Sequence, residues 1–117
     1  MPRTKILPPR PVSVDIFGTI WDIVWVEHMM HNSNTFGQTY DGLQEIHLDS
    51  NMKPMQTRMT LFHELHHAIL FTILSQQQER SEHDYVYVIS QGLWALAKHN
   101  PELWTWMWSN NEELIQK

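Results

Sequence analysis

Apolar and polar positions alternate with one period in the first half of this chain and with another in the second. Val12, Val14 and Ile16 project to one side of an extended segment, with Ser13 and Asp15 on the other. This predicts a strand that Gly18 interrupts. Residues 19–27 are rich in β-branched and aromatic side chains and predict a second strand. Its faces are Trp21, Ile23, Trp25 and Ile20, Asp22, Val24, Val26; Asp22 alone is polar before Glu27, which predicts that both faces are covered. Residues 28–42 contain Asn32, Ser33, Asn34, Gly37 and Gly42 and read as a polar connection. Alternation returns over residues 44–49, a predicted third strand, before an Asp49-Ser50-Asn51 turn.

The period then becomes helical. Pro54 suits a first helical turn. Met55, Met59, Phe62, Leu65, Ile69 and Ile73, widened by Leu61, Ala68 and Leu70, predict one long helix to about residue 75. Ser81 is a candidate cap for a second helix, with Glu82 and Asp84 near the positive end of its dipole. That helix turns Val86, Ile89, Leu93 and Leu96 inward and ends near residues 99–100. Pro101 introduces a third helix over residues 102–115. Strands followed by helices imply an α+β fold: a small three-stranded sheet with the long helix and two further helices packed on one face. Residues 1–11 hold four prolines and three basic groups and read as an extended arm. Residues 12–117 read as a single domain.

Composition sharpens this picture by exclusion. A chain of 117 residues, 42% of them hydrophobic, can bury one core and not two. A formal net charge of -5 argues against a sequence-independent nucleic-acid binder, which needs a basic footprint. The absence of cysteine excludes disulfides, thiolate metal sites and a thiol nucleophile. No segment has the form of a signal peptide, and no apolar run approaches the roughly 18 to 20 residues of a membrane span. The expectation is a cytoplasmic protein with no nucleic-acid and no membrane partner.

Eight histidines are many for this length, and two carry a spacing with chemical meaning. In His63-Glu64-Leu65-His66-His67, His63 and His67 are four residues apart, a rotation of about 400° on a helix, so both imidazoles leave one face a turn apart. Two nitrogens so placed can share a zinc ion at ~2.0–2.1 Å. Glu64 stands one step round the helix, where a general base can take a proton from a metal-activated water. The competing reading is a helix carrying surface histidines. A catalytic zinc usually has a third protein ligand and one open position. The start of the second helix offers Asp84, His83 and Glu82. Asp84 is favoured because Val86 and Ile89 follow it and suggest a core-side face; His83 and then Glu82 are the alternatives, against helix-start acids with no metal role.

The stretch from Thr60 to Ile69, the acidic helix start, Gly92-Leu93 and Asn100-Pro101-Glu102-Leu103 together resemble small phage-type metallopeptidases, similar to the ImmA/IrrE-like group of zincins. The resemblance spans residues 40–105, and its specific part is His63 to His67. It implies that His63, His67 and a downstream acid bind zinc and that Glu64 is the base. Asp84 stands where the group carries a glutamate. The resemblance also implies that the strand around Ile46-His47-Leu48 lies beside the cleft, where an edge could pair with an extended peptide.

The function expected is therefore zinc-dependent hydrolysis of a peptide or protein substrate. One alternative is a non-catalytic interaction module whose zinc is structural; another is an interaction module without metal. His66 lies about 60° off the His63 direction and reads as solvated or hydrogen-bonded rather than ligating. His28 and His31 stand three apart in a polar connection, weak support for a second metal site, and His47 faces away from Ile46 and Leu48. Trp104 and Trp108 share a helix face, read as packing or as a homodimer contact.

Overall fold

The computed structural model describes residues 10–74 and 82–109, with backbone alone at Leu74 and residues 82–84. Most of the expected N-terminal arm and the end of the expected third helix lie outside these residues. The described chain contains, in order, β1 (Ser13–Ile16), β2 (Thr19–Val26), α1 (Met29–Ser33), β3 (Gly37–Tyr40), β4 (Glu45–Asp49), α2 (Pro54–Leu74), α3 (Glu82–His99) and α4 (Pro101–Met107). The class is α+β.

The sheet has four strands in the order β1-β2-β4-β3, not the expected three. β1 and β2 form a hairpin through Phe17 and Gly18, both with positive φ, the sign a type I′ turn requires. β2 and β4 are parallel, and β3 closes the far side antiparallel to β4. The additional strand lies inside the segment read as a polar connection, which also contains α1. α4 ends at Met107, with Trp108 as its C-cap, well short of the expected residue 115.

α2, α3 and α4 cover one face. Val14, Ile16, Trp21, Ile23, Ile46 and Leu48 point from the sheet into a core completed by Leu61, Leu65, Ala68 and Ile69 of α2 and Val88 and Leu96 of α3. The opposite face of β2 is open at its start, where Ile20 is 52% exposed and Asp22 is exposed, and half-buried at Val24 and Val26, so the expectation that both faces were covered holds only in part. A run of apolar residues can reflect strand propensity as well as burial.

Most of the faces expected for the two long helices do turn inward: Leu61, Leu65, Ala68, Ile69 and Leu96 are buried and Phe62, Leu70, Ile73, Ile89 and Leu93 pack against the core, while Met55, Met59 and Val86 turn outward. In α2, Met55 and Met59 are each 66% exposed, while the buried seam runs through Thr57, Arg58, Leu61, Glu64, Leu65, Ala68 and Ile69. In α3, Val86 is exposed and Val88, Gly92, Ala95 and Leu96 are buried. A Cβ at Gly92 would collide with Cγ2 of Ile69, so the absence of a side chain lets α3 lie close on α2. Arg58 fastens α4: its Nε donates to the Trp106 carbonyl at 2.8 Å, and its guanidinium lies 5.0 Å from the Trp106 ring centre. Trp106 is buried, Trp104 half-buried and Trp108 exposed, so the tryptophans divide between core and surface. Residues 10 and 11 are held against the sheet, with Trp25 Nε1 donating to the Pro11 carbonyl at 2.9 Å and Arg10 stacked over the Trp25 ring. Among the described residues no helix is long and apolar enough to cross a membrane.

Candidate metal centre and cleft

The helical spacing brings His63 and His67 together as expected. Both side chains are exposed, and their Nε2 atoms are 3.3 Å apart. Two ligands at ~2.0–2.1 Å from one ion, at a tetrahedral angle, are separated by about 3.3 Å. The separation of the pair therefore matches that of two ligands on one zinc ion, and it also suits a weak imidazole–imidazole hydrogen bond.

Glu64 lies on the inner side of the pair and is 7% exposed. Thr39 of β3 donates through Oγ1 to Glu64 Oε1 at 2.6 Å, which ties the carboxylate to the edge strand. Gly37 makes this approach possible. A Cβ there would meet Thr60 Cγ2 at 2.7 Å and Glu64 Cγ at 3.2 Å. The strand beside the motif is thus β3. β4 is an inner strand between β2 and β3, so the edge that an extended peptide could pair with is that of β3 and not that of residues 46–48. Thr39 and Gly37 were missed by pattern. The available signal was Thr39-Tyr40 followed by Asp41-Gly42 and then the alternation of β4, a hairpin signature.

Two hollows flank this arrangement. One is lined by Phe36, Gly37, Met59, Thr60, His63 and Glu64 among others, the second by Gly37, Gln38, Thr39, Asp41, Glu64 and His67. Glu64 borders both.

Other histidines take separate roles. His66 Nδ1 is 2.8 Å from the Phe62 carbonyl, one turn back, in keeping with the expected hydrogen-bonded role. His47 Nε2 is 2.8 Å from Glu45 Oε1 and stacks near Tyr40, on the sheet face away from α2, so it does not reach the cleft. His28 precedes α1, where it adjoins Asp49. Burial opposes the charge on Asp49, which is 4% exposed. Backbone N–H groups of Met30 and Asn51 at 2.9 and 2.8 Å, the nearby His28 and the Met29 N–H outweigh it and hold the carboxyl below its usual range. Asp49 is a fastening of α1 to β4 rather than a part of the cleft.

Among the described residues no group of three or more His, Asp or Glu converges as a metal site. The expected third ligand, Asp84, with its alternatives His83 and Glu82, has its side chain outside the described residues. Of the two residues that favoured Asp84, Ile89 packs against the core and Val86 faces solvent. Comparison with protein-family models, with curated proteins and with solved structures finds no match to this chain.

Proposed function

We propose that this protein is a zinc-dependent metallopeptidase, with His63 and His67 as ligands, Glu64 as general base and Asp84 as third ligand. The observation that carries the reading is the 3.3 Å separation of the two Nε2 atoms beside a mostly buried carboxylate. A zinc ion held there would supply a Lewis acid that acidifies water and polarises a carbonyl.

The chain's own residues then divide the work. His63 and His67 present neutral nitrogens from adjacent turns. Glu64 accepts the proton of the attacking water and passes it to the leaving amine. Thr39 holds one oxygen of that carboxylate, fixing its plane and leaving the second oxygen for proton transfer. Burial of Glu64 against Thr60 and β3 limits the directions from which water reaches it. The outer edge of β3 offers backbone donors and acceptors to an extended peptide. The enzyme proposed is a cytoplasmic one, of the phage type that the motif resemblance implies.

Elemental analysis of protein purified without added metal tests the ligand set. About one zinc per chain is expected in wild type, falling to near none in His63→Ala and sharply in Asp84→Ala, while Glu82→Ala keeps it. Equal zinc in wild type and His63→Ala would reject the site. Release by His83→Ala instead would move the third ligand by one residue. Zinc closed off by a fourth protein ligand would favour the structural-zinc alternative.

A further inference from the structure

Beyond the motif, α2 and α4 enclose a second hollow. It has a volume of about 340 Å³ and is lined by Met55, Arg58, Met59, Phe62, Met107 and Trp108 among others. Its walls are largely apolar: Phe62 meets Trp108 edge to face at 5.7 Å, and Met55 and Met59 stand 66% exposed at its mouth. The same two methionines line the hollow that contains His63 and Glu64. The two spaces therefore adjoin along α2, and nothing in the hydrolytic chemistry uses the apolar one.

We propose that this pocket selects the substrate: it takes a large apolar side chain, of leucine, methionine or phenylalanine type, at about the third residue after the bond that is cut. The position of that bond rests on the metallopeptidase reading above.

Three observations fix direction and register. β3 and α2 run in the same sense, since Gly37 lies against Thr60, Thr39 bonds Glu64, and Asp41 shares a hollow with His67. A peptide added to the outer edge of β3 in the more common antiparallel sense runs from the His67 end toward Met55. Charge agrees with that direction. Exposed Asp41 stands where the amino-terminal side of the peptide arrives, and exposed Lys53 where its carboxyl-terminal side leaves. The centre of the pocket is six to seven helical positions before the centre of the motif, about 10 Å at 1.5 Å per residue. Extended chain covers that distance in about three residues. Unbranched methionines at the mouth adapt to side chains of different shape, so the selection is for size and apolarity rather than for one residue.

The test uses nine-residue peptides of serine, threonine and alanine in which a single leucine or phenylalanine is walked through the sequence. Binding is measured by calorimetry on the full-length Glu64→Gln chain, and cut positions are read by mass spectrometry with zinc-loaded wild type. The apolar residue is expected to tighten binding about tenfold or more. Met59→Lys in the Glu64→Gln background should remove that gain, whereas Met30→Lys, an exposed change on α1, should keep it. In cut peptides the apolar residue should fall at the third position after the break. Equal binding of apolar and all-polar peptides, a gain that survives Met59→Lys, or an apolar residue mapped before the cut would each overturn the proposal. A gain abolished by Met59→Lys with no cutting of any peptide would uphold the pocket and remove the metallopeptidase reading instead.

Discussion

The two margins of the sheet are treated differently. At β1 the side-chain amide of Asn100 substitutes for a neighbouring strand: its Oδ1 accepts the Asp15 N–H at 2.9 Å, and its Nδ2 donates to the Asp15 carbonyl at 2.9 Å and to the Leu96 carbonyl at 3.0 Å. At β3 no strand or side chain, among the described residues, bonds the outer backbone edge. An unpaired edge is a liability unless something uses it. Here the open edge lies along the helix that carries His63, Glu64 and His67, and the closed edge lies on the far side of the sheet from it. The difference teaches that closure and exposure are distributed unevenly: one margin is tied down by a side chain, and the other is available, under the proposed function, for a substrate backbone.

Substitutions on the two margins should therefore separate activity from stability. The largest effect is expected from Glu64→Gln, which keeps size but cannot accept a proton. Hydrolysis of any accepted peptide should fall by ~10²–10⁴-fold while zinc content and the unfolding midpoint stay at wild-type values. Undiminished cutting would remove Glu64 from the mechanism. Asn100→Ala should behave in the opposite way, lowering stability by about 1–3 kcal/mol in urea unfolding with zinc retained, because the Asp15 backbone groups lose their partner. Stability equal to wild type would show that the β1 margin does not need closing.

Gly37→Ala joins the two effects. The added methyl group must push back Thr60 or lift β3, at a cost of about 1–3 kcal/mol. Because Thr39 moves with the strand, peptide hydrolysis should fall alongside stability; a fall in neither would show that β3 does not need its close approach. The smallest effect concerns Asp49. Its carboxyl is held below the usual range, so its contribution to stability is complete above about pH 4 and is lost as the pH drops through its folded-state value. Unfolding measured at neutral pH and near pH 3 should show a steeper acid loss in wild type than in Asp49→Asn, and parallel curves would contradict that assignment.

What was legible in the sequence was local. The motif spacing and the course of α2 follow from helical periodicity and from Pro54; in the first hairpin β1 follows from alternation before Gly18, and β2 from its β-branched and aromatic residues. What escaped depends on distant partners. β3 has only four residues and begins with Gly37 and Gln38, which carry no strand pattern; its place is set by steric fit to Thr60 and Glu64. Apolarity also misled about direction. Met55, Met59 and Val86 were assigned inward because they are apolar, yet each faces outward, and the two methionines line the hollows beside α2. Ile20 belongs to the same lesson on the outer face of β2.

The Asn100 amide also sets an order of events. Its bonds to Asp15 span 85 positions of chain. During synthesis, which proceeds from the amino terminus, the β1–β2 hairpin emerges long before the residue that closes its margin. Until Asn100 leaves the ribosome, both margins of the nascent sheet can recruit a strand from another molecule. The asymmetry seen in the finished protein is thus acquired at the last step. A chain interrupted before residue 100 would carry two adhesive edges instead of one, and aggregation of such fragments would be a direct sign of when the fold commits to its final form.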